Sequence, residues 1–185
     1  MAKLKNITVF CGSSAGTDAV YAEATHQFGQ ALVAQNLSLV YGGASVGLMG
    51  ILADAVLAHQ GNAVGVIPQS MVSVEVSHDN LSELFIVNDL QERKNKMNAL
   101  ADAFVLLPGG AGSLDEFFET LTLIQTGRME RIPVLLFGKE FWGRVINLQA
   151  LAEEGTISPD DINLFTIVDT AEEGWKIVSD FYELS

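Results

Sequence analysis

The sequence predicts an α/β protein: a Rossmann-like, doubly wound parallel sheet in a single domain over residues 1–185. Three observations predict it. Short apolar runs of strand length alternate with longer segments whose apolar residues recur at helical spacing. The runs lack polar alternation, as expected of strands covered on both faces. Three of them end in glycine-rich turns that lead directly into helical segments, the connection a βα unit requires.

Residues 6–10 read as the first strand, with Cys11-Gly12-Ser13-Ser14 as the turn at its carboxyl end. From about residue 18 to 35, Ala22, Phe28, Ala31 and Leu32 fall at near-helical spacing, and Asp18 is placed to cap that helix. Residues 37–41 form the second strand, followed by Gly42-Gly43-Ala44-Ser45 and a helix to about His59. A third strand at 63–67 stops at Pro68. A polar stretch through Glu75, His78 and Asn80 separates it from a fourth at 84–87. The segment from Asp89 to Met97 opens a helix that leads into a central strand at 104–107. A long helix from about 113 to 126, a strand at 133–137, a helix from about 141 to 153, a strand at 165–168 and a helix at 171–182 complete the chain.

On a parallel sheet, ligands bind at the carboxyl ends of the strands. The turns after strands one, two and five, Gly12-Ser13-Ser14, Gly42-Gly43-Ala44-Ser45 and Gly109-Gly110-Ala111-Gly112, should therefore converge on one edge. The last of these is the most informative. Glycines allow close approach by a ligand, and the first N–H groups of a helix have no partner within it, so the turn can cradle a phosphate. It lacks the Lys of a P-loop, and Asp115 stands in place of the third glycine of a dinucleotide fingerprint. The second strand ends in Val40-Tyr41 instead of the acidic residue that holds an NAD ribose, which disfavours NAD. A purely structural reading also exists. Ser113-Leu114-Asp115-Glu116 has the form of a capping box, contributing about 0.5–2 kcal/mol to the helix.

Composition narrows the function. Ten Lys and Arg against a formal charge of −13 argue against a nucleic-acid polymer, whose binding depends on neutralised phosphates. No apolar run approaches the roughly 18 residues of a membrane span, so a soluble, cytoplasmic protein without membrane contact is expected. Cys11 is the only cysteine, which rules out an internal disulfide and suits a packed residue at a strand end. His26, His59 and His78 are scattered without ligand spacing, so no metal is assigned, and no Ser-His-Asp or Cys-His arrangement stands out. A mean hydropathy of +0.29 points to self-association.

Four blocks in order resemble those of the LOG family, whose members are often mislabelled lysine decarboxylases. Pro108-Gly109-Gly110-Ala111-Gly112-Ser113-Leu114-Asp115-Glu116 resembles the family signature PGGxGTxxE, and residues 41–50 its YGGGxxGLMG. Cys11-Gly12-Ser13-Ser14 is similar to its CGSS and Glu92-Arg93-Lys94 to its xRK element. Ser113 replaces the usual Thr and keeps the hydroxyl, and Asp115 replaces a frequent Glu. Ala111 stands where plant members often carry Tyr, and Leu90-Gln91 where Met-His is usual; both bear on substrate preference.

The resemblance implies hydrolysis of the N-glycosidic bond of a cytokinin riboside 5′-monophosphate, with AMP as a second substrate, giving free base and ribose 5-phosphate without a cofactor. It implies a homodimer or higher homo-oligomer, with Glu116 as the carboxylate near the anomeric carbon and Arg93 as its catalytic partner. Gly109, Gly110, Ala111, Gly112, Ser113, Leu114 and Asp115 would bind the substrate, with Lys94, Gly43, Ser13, Glu75 and Thr122 as further contacts. Some of these have a plainer alternative: Arg93-Lys94 as a solvated helix face, Glu75 as a loop acid, Thr122 as a packed intrahelical residue. Molybdenum-cofactor carrier proteins resemble the same fold and glycine pattern, so a non-catalytic nucleotide or cofactor carrier is the competing function. A pyridoxal phosphate decarboxylase would need a Schiff-base Lys with supporting residues, and none is identified.

Overall fold

The computed structural model describes residues 4–73 and 76–184. Seven strands form one parallel sheet in the order β4-β3-β2-β1-β5-β6-β7. They are β1 (Asn6–Phe10), β2 (Ser38–Tyr41), β3 (Ala63–Pro68), β4 (Glu83–Val87), β5 (Ala103–Leu106), β6 (Val134–Phe137) and β7 (Thr166–Val168). The helices are α1 (Ala19–Ala34), α2 (Gly47–Ala58), α3 (Leu90–Leu100), α4 (Ala111–Gln125), α5 (Lys139–Val145), α6 (Leu148–Glu153) and α7 (Ala171–Phe181). The Rossmann-like expectation holds. Ile7, Val9, Leu39, Tyr41, Val105 and Leu135 pack on one face, under α1, α2 and α7. Phe10, Val40, Val66, Phe104, Leu106 and Leu136 pack on the other, under α3, α4 and α5. Successive strand residues thus feed opposite cores, which is why the runs are apolar throughout.

The chain winds outward from β1 to β4 and then crosses back to pair β5 with β1, in register Thr8 with Phe104 and Phe10 with Leu106. The carboxyl ends of β1 and β5 are the topological switch point, where a parallel sheet opens a crevice. Backbone bonds bind the glycine turns together there. Gly12 N–H donates to the Pro108 carbonyl at 3.0 Å, and Leu48 N–H at the start of α2 donates to the Gly12 carbonyl at 3.1 Å.

The structure corrects three sequence expectations. The helix expected from 113 begins at Ala111, with Gly110 as its N-cap and no side-chain cap. Ser113 and Glu116 therefore make no capping box: Ser113 is third in the helix and buried, and the Glu116 carboxylate is drawn away to Arg93. Glu116 lies in the second turn, one turn deeper than a start at Ser113 implied. The helix expected over 141–153 is two short ones. Ile146 is extended between them, and Asn147 restarts the helix by accepting from the Ala150 N–H at 3.1 Å. A 3-10 turn at Pro159–Leu164, opened by a capping box at Ser158, precedes β7.

Candidate active site

Asp89 caps α3 by accepting from the Glu92 N–H at 2.8 Å, and Glu92 reaches back to the Asn88 N–H at 2.9 Å. With that first turn wound, the next residues point at α4. Arg93 Nη2 donates to Glu116 Oε1 at 3.2 Å. Lys94 Nζ meets Asp115 at 3.0 Å and also contacts the Glu119 carboxylate. Gln91 Nε2 donates to Glu119 Oε1 at 2.9 Å. Three residues of α3 and three of α4 thus form a polar seam beside the switch point. A solvated helix face is excluded for Arg93 and Lys94, whose side chains are only 11% and 14% exposed.

Burial sets the electrostatics. Desolvation pushes the Glu116 carboxyl up from 4.5 to about 7, Asp115 adds to the rise, and Arg93 and Lys94 oppose it. Desolvation also works against the Lys94 charge, but Glu119 and Asp115 outweigh it and hold the ammonium above its ordinary range. The Cys11 thiol lies near this pair, and burial, then the Glu116 charge, push it far above the usual thiol range, which leaves it a poor nucleophile.

The glycine turn provides the other half. Space is open around Gly110 and Gly112 within 4 Å of where a Cβ would stand, and no side chain caps α4. The start of α4, with the N–H groups of Ala111, Gly112 and Ser113, is therefore uncrowded on the Gly110 and Gly112 side, an arrangement that suits an anion. Gly109 is different: a Cβ there would overlap the Ser113 hydroxyl, so the bend and the buried Ser113 require each other.

Other residues named from sequence fall at varying distances from this centre. Leu114 and Asp115 are on the first turns of α4, Asp115 committed to Lys94. Ser13 is exposed on the β1 turn, and its carbonyl fills the space a side chain at Gly47 would need. Gly43 has a left-handed backbone (φ +77°) and is buried, its carbonyl accepting from the His78 N–H at 3.0 Å. His78 itself is tied to Asp54 of α2 at 3.0 Å. Thr122 points elsewhere: its hydroxyl donates to the Phe118 carbonyl at 2.7 Å, and it lines a separate hollow with Leu148 and Leu151 of α6. Glu75 lies outside the described residues. A larger hollow of about 600 Å³, between α1 and α7, contains none of these groups.

The sequence reading missed Glu119 and Met71. Glu119 carries a signal, because it follows Asp115 and Glu116 at helical spacing on the face that meets α3. Met71, whose sulfur lies 4.0 Å from Arg93 Nη1, gives none.

The family model described as "Possible lysine decarboxylase" matches residues 49–178. A cytokinin riboside 5′-monophosphate phosphoribohydrolase of Rhodococcoides fascians is 43% identical over 157 residues, covering 84% of this chain and 79% of that protein. One from Arabidopsis thaliana is 37% identical over 180 residues, covering 97% and 84%. Among solved structures, the molybdenum cofactor binding protein of Rippkaea orientalis superposes with a TM-score of 0.73 over 98% of this chain and 99% of its own. The molybdenum cofactor carrier protein of Chlamydomonas reinhardtii gives 0.68 over 98% of each. At 17% and 16% identity, those two likenesses concern the fold alone. Identity at the level of the first two relatives, over most of both chains, carries more, and with the family match it shows that this chain belongs to the LOG family of cytokinin riboside 5′-monophosphate phosphoribohydrolases.

Proposed function

We propose that the protein hydrolyses the N-glycosidic bond of a nucleoside 5′-monophosphate bearing an N6-substituted adenine, releasing the base and ribose 5-phosphate. The observation that carries this reading is the buried Arg93–Glu116 pair at 3.2 Å, set beside the uncapped start of α4 at the switch point. The 5′-phosphate sits on the N–H groups of Ala111, Gly112 and Ser113, and the ribose extends toward the second turn of α4. As the bond from C1′ to the base nitrogen breaks, its electron pair leaves with the base and positive charge builds on the sugar. The Glu116 carboxylate stabilises that charge and takes a proton from the water that attacks C1′. The departing base takes up a proton from solvent while the proton that Glu116 gained from the attacking water returns there, and Arg93 holds Glu116 in place.

A carrier of the same fold remains the competing function, and two features favour the enzyme. A passive carrier has little use for a carboxyl held near neutrality against a guanidinium, and the solved structures named as molybdenum cofactor binding or carrier proteins match at only 17% and 16% identity, which concerns the fold alone. We further propose a cytoplasmic homodimer or larger homo-oligomer, consistent with exposed Leu90, Phe118 and Leu151 on the α3, α4 and α6 surfaces. Among the described residues, no helix is long and apolar enough to cross a membrane.

The test is incubation with AMP and with N6-isopentenyl-AMP, followed by assay of ribose 5-phosphate. Product from the isopentenyl nucleotide, lost in Glu116→Gln, is the expected result. Absence of product from either nucleotide, or recovery of an intact co-purified ligand after long incubation, would favour the carrier.

A further inference from the structure

We infer that Gly42 is a positioning residue for Arg93: the side chain it lacks leaves the seat in which the guanidinium lies while it faces Glu116. The inference rests on the hydrolase reading above for its kinetic test, but the geometry stands by itself. Gly42 follows β2 and is buried, and unlike Gly43 its backbone is not left-handed, so conformation does not demand glycine here. Space does. A Cβ at position 42 would stand 3.1 Å from Arg93 Nη2 and 3.4 Å from Cζ, on the nitrogen that donates to Glu116. The nearest atom of all is Met49 Sδ of α2, at 2.9 Å.

These neighbours respond differently. The Met49 sulfur is near the end of a flexible chain and can move aside. The guanidinium has less freedom, since Glu116 holds it on one side and the Met71 sulfur lies 4.0 Å from Nη1 on another. A methyl group at 42 therefore shifts the guanidinium by a few tenths of an ångström away from Gly42, out of line with the carboxylate. Displacements smaller than 1 Å at a reacting centre are enough to slow a reaction severalfold.

The experiment compares wild type, Gly42→Ala, Met49→Val and the Gly42→Ala/Met49→Val double variant for ribose 5-phosphate release across pH 5.5–8.5. The double variant removes the sulfur contact, so it also serves if Gly42→Ala folds poorly. The expected result is a fall in kcat of about five- to tenfold in both variants carrying Gly42→Ala. The acid limb should move to higher pH, because a displaced Arg93 opposes the Glu116 rise less; Lys94, Asp115 and Cys11, the other titratable groups near that carboxyl, are unchanged. Restoration of full activity by Met49→Val, or an unmoved acid limb, would overturn the inference. Thermal unfolding judges the seat without turnover. Loss of the guanidinium in Arg93→Ala should remove at least about half of the Tm decrease caused by Gly42→Ala, and additive decreases would overturn the seat. A wild type without activity would count against the hydrolase reading and leave this second measurement decisive.

Discussion

Arg93 Nη2 stands 3.2 Å from Glu116 Oε1, with about a tenth of each side chain exposed. A buried pair of this kind need not stabilise a fold, because removing two charges from water can cost more than their attraction returns. Here the balance is visible in the carboxyl, which is held at about 7 despite the guanidinium beside it. Desolvation wins, and a group kept at such a disadvantage is a candidate for chemistry.

The first prediction concerns pH and activity. With the carboxylate as the working form, kcat/KM should rise with pH through about 7, reporting Glu116 in the free enzyme. Initial rates of ribose 5-phosphate release between pH 5 and 9 would show it. Glu116→Gln should lower kcat/KM by about 10²-fold or more at every pH. A flat wild-type profile between pH 5.5 and 8 would remove Glu116 from the role of base.

The same shift has a consequence for stability. Because the folded pKa of Glu116 lies above its ordinary value of 4.5, the folded state holds the proton more tightly. The resulting stabilisation is complete below about 4.5 and lost as pH rises through about 7, an effect of roughly 3 kcal/mol at full titration. Gln at this position is always neutral. Urea unfolding should therefore find Glu116→Gln about as stable as wild type near pH 4.5 and more stable by about 2–3 kcal/mol at pH 8. An ion pair that stabilised the fold would give the opposite order at pH 8.

What could be read from the sequence, and what could not, follows from the range of the interactions involved. The sheet was legible because its strands are short apolar runs, most of them ended by glycine or proline, a local signal. Asp18 and Asp89 could be placed at helix starts for the same reason, and both accept from the N–H groups of the turns they open. The start of α4 was misplaced because Ser113-Leu114-Asp115-Glu116 satisfies a local rule that a long-range contact overrides: Arg93 takes Glu116. The pairing of Lys94 with Asp115 and Glu119 joins residues more than twenty positions apart, and the chain order of α3 and α4 does not reveal their facing surfaces. Lys94, expected from the resemblance to touch substrate, is already held between two carboxylates.

That placement of Lys94 yields a third prediction. Lys94→Gln leaves Asp115 and Glu119 without their shared cation, so α4 should lose its tie to α3 at a cost of about 1–3 kcal/mol. Because Lys94 also lowers the Glu116 pKa, the acid limb should move upward, and denaturant unfolding with a pH–rate profile would separate the two effects. A direct phosphate contact would instead appear as a large increase in KM with the acid limb unmoved.

Arg93 allows a sharper comparison. Lys at this position keeps a positive charge but has no planar fork to span Glu116 and a substrate atom together. Arg93→Lys should thus retain a Glu116 titration near that of wild type yet lose about 10²-fold in kcat. Arg93→Met loses the same activity and, lacking the charge that lowers the carboxyl, titrates at higher pH. Equal profiles for the two variants would mean that charge at Arg93 does not govern Glu116.

The last prediction tests the bend itself. A Cβ at Gly109 would overlap the Ser113 hydroxyl, lie 2.7 Å from its Cβ and reach within 3.2 Å of the Gly12 nitrogen. Gly109→Ala must then push the first turn of α4 outward or open the Gly12–Pro108 bond that joins β1 to β5, at a cost of about 1–3 kcal/mol. Either movement misaligns the N–H groups at Ala111, Gly112 and Ser113, so KM for the nucleotide should rise at least as much as kcat falls. Deleting the opposing side chain as Ser113→Gly in the same background makes room for the methyl. It should recover part of the affinity although glycine inside a helix is itself unfavourable by about 1 kcal/mol. If the double variant binds nucleotide no better than Gly109→Ala, the bend is not shaped by Ser113, and the phosphate is held by something other than the start of α4.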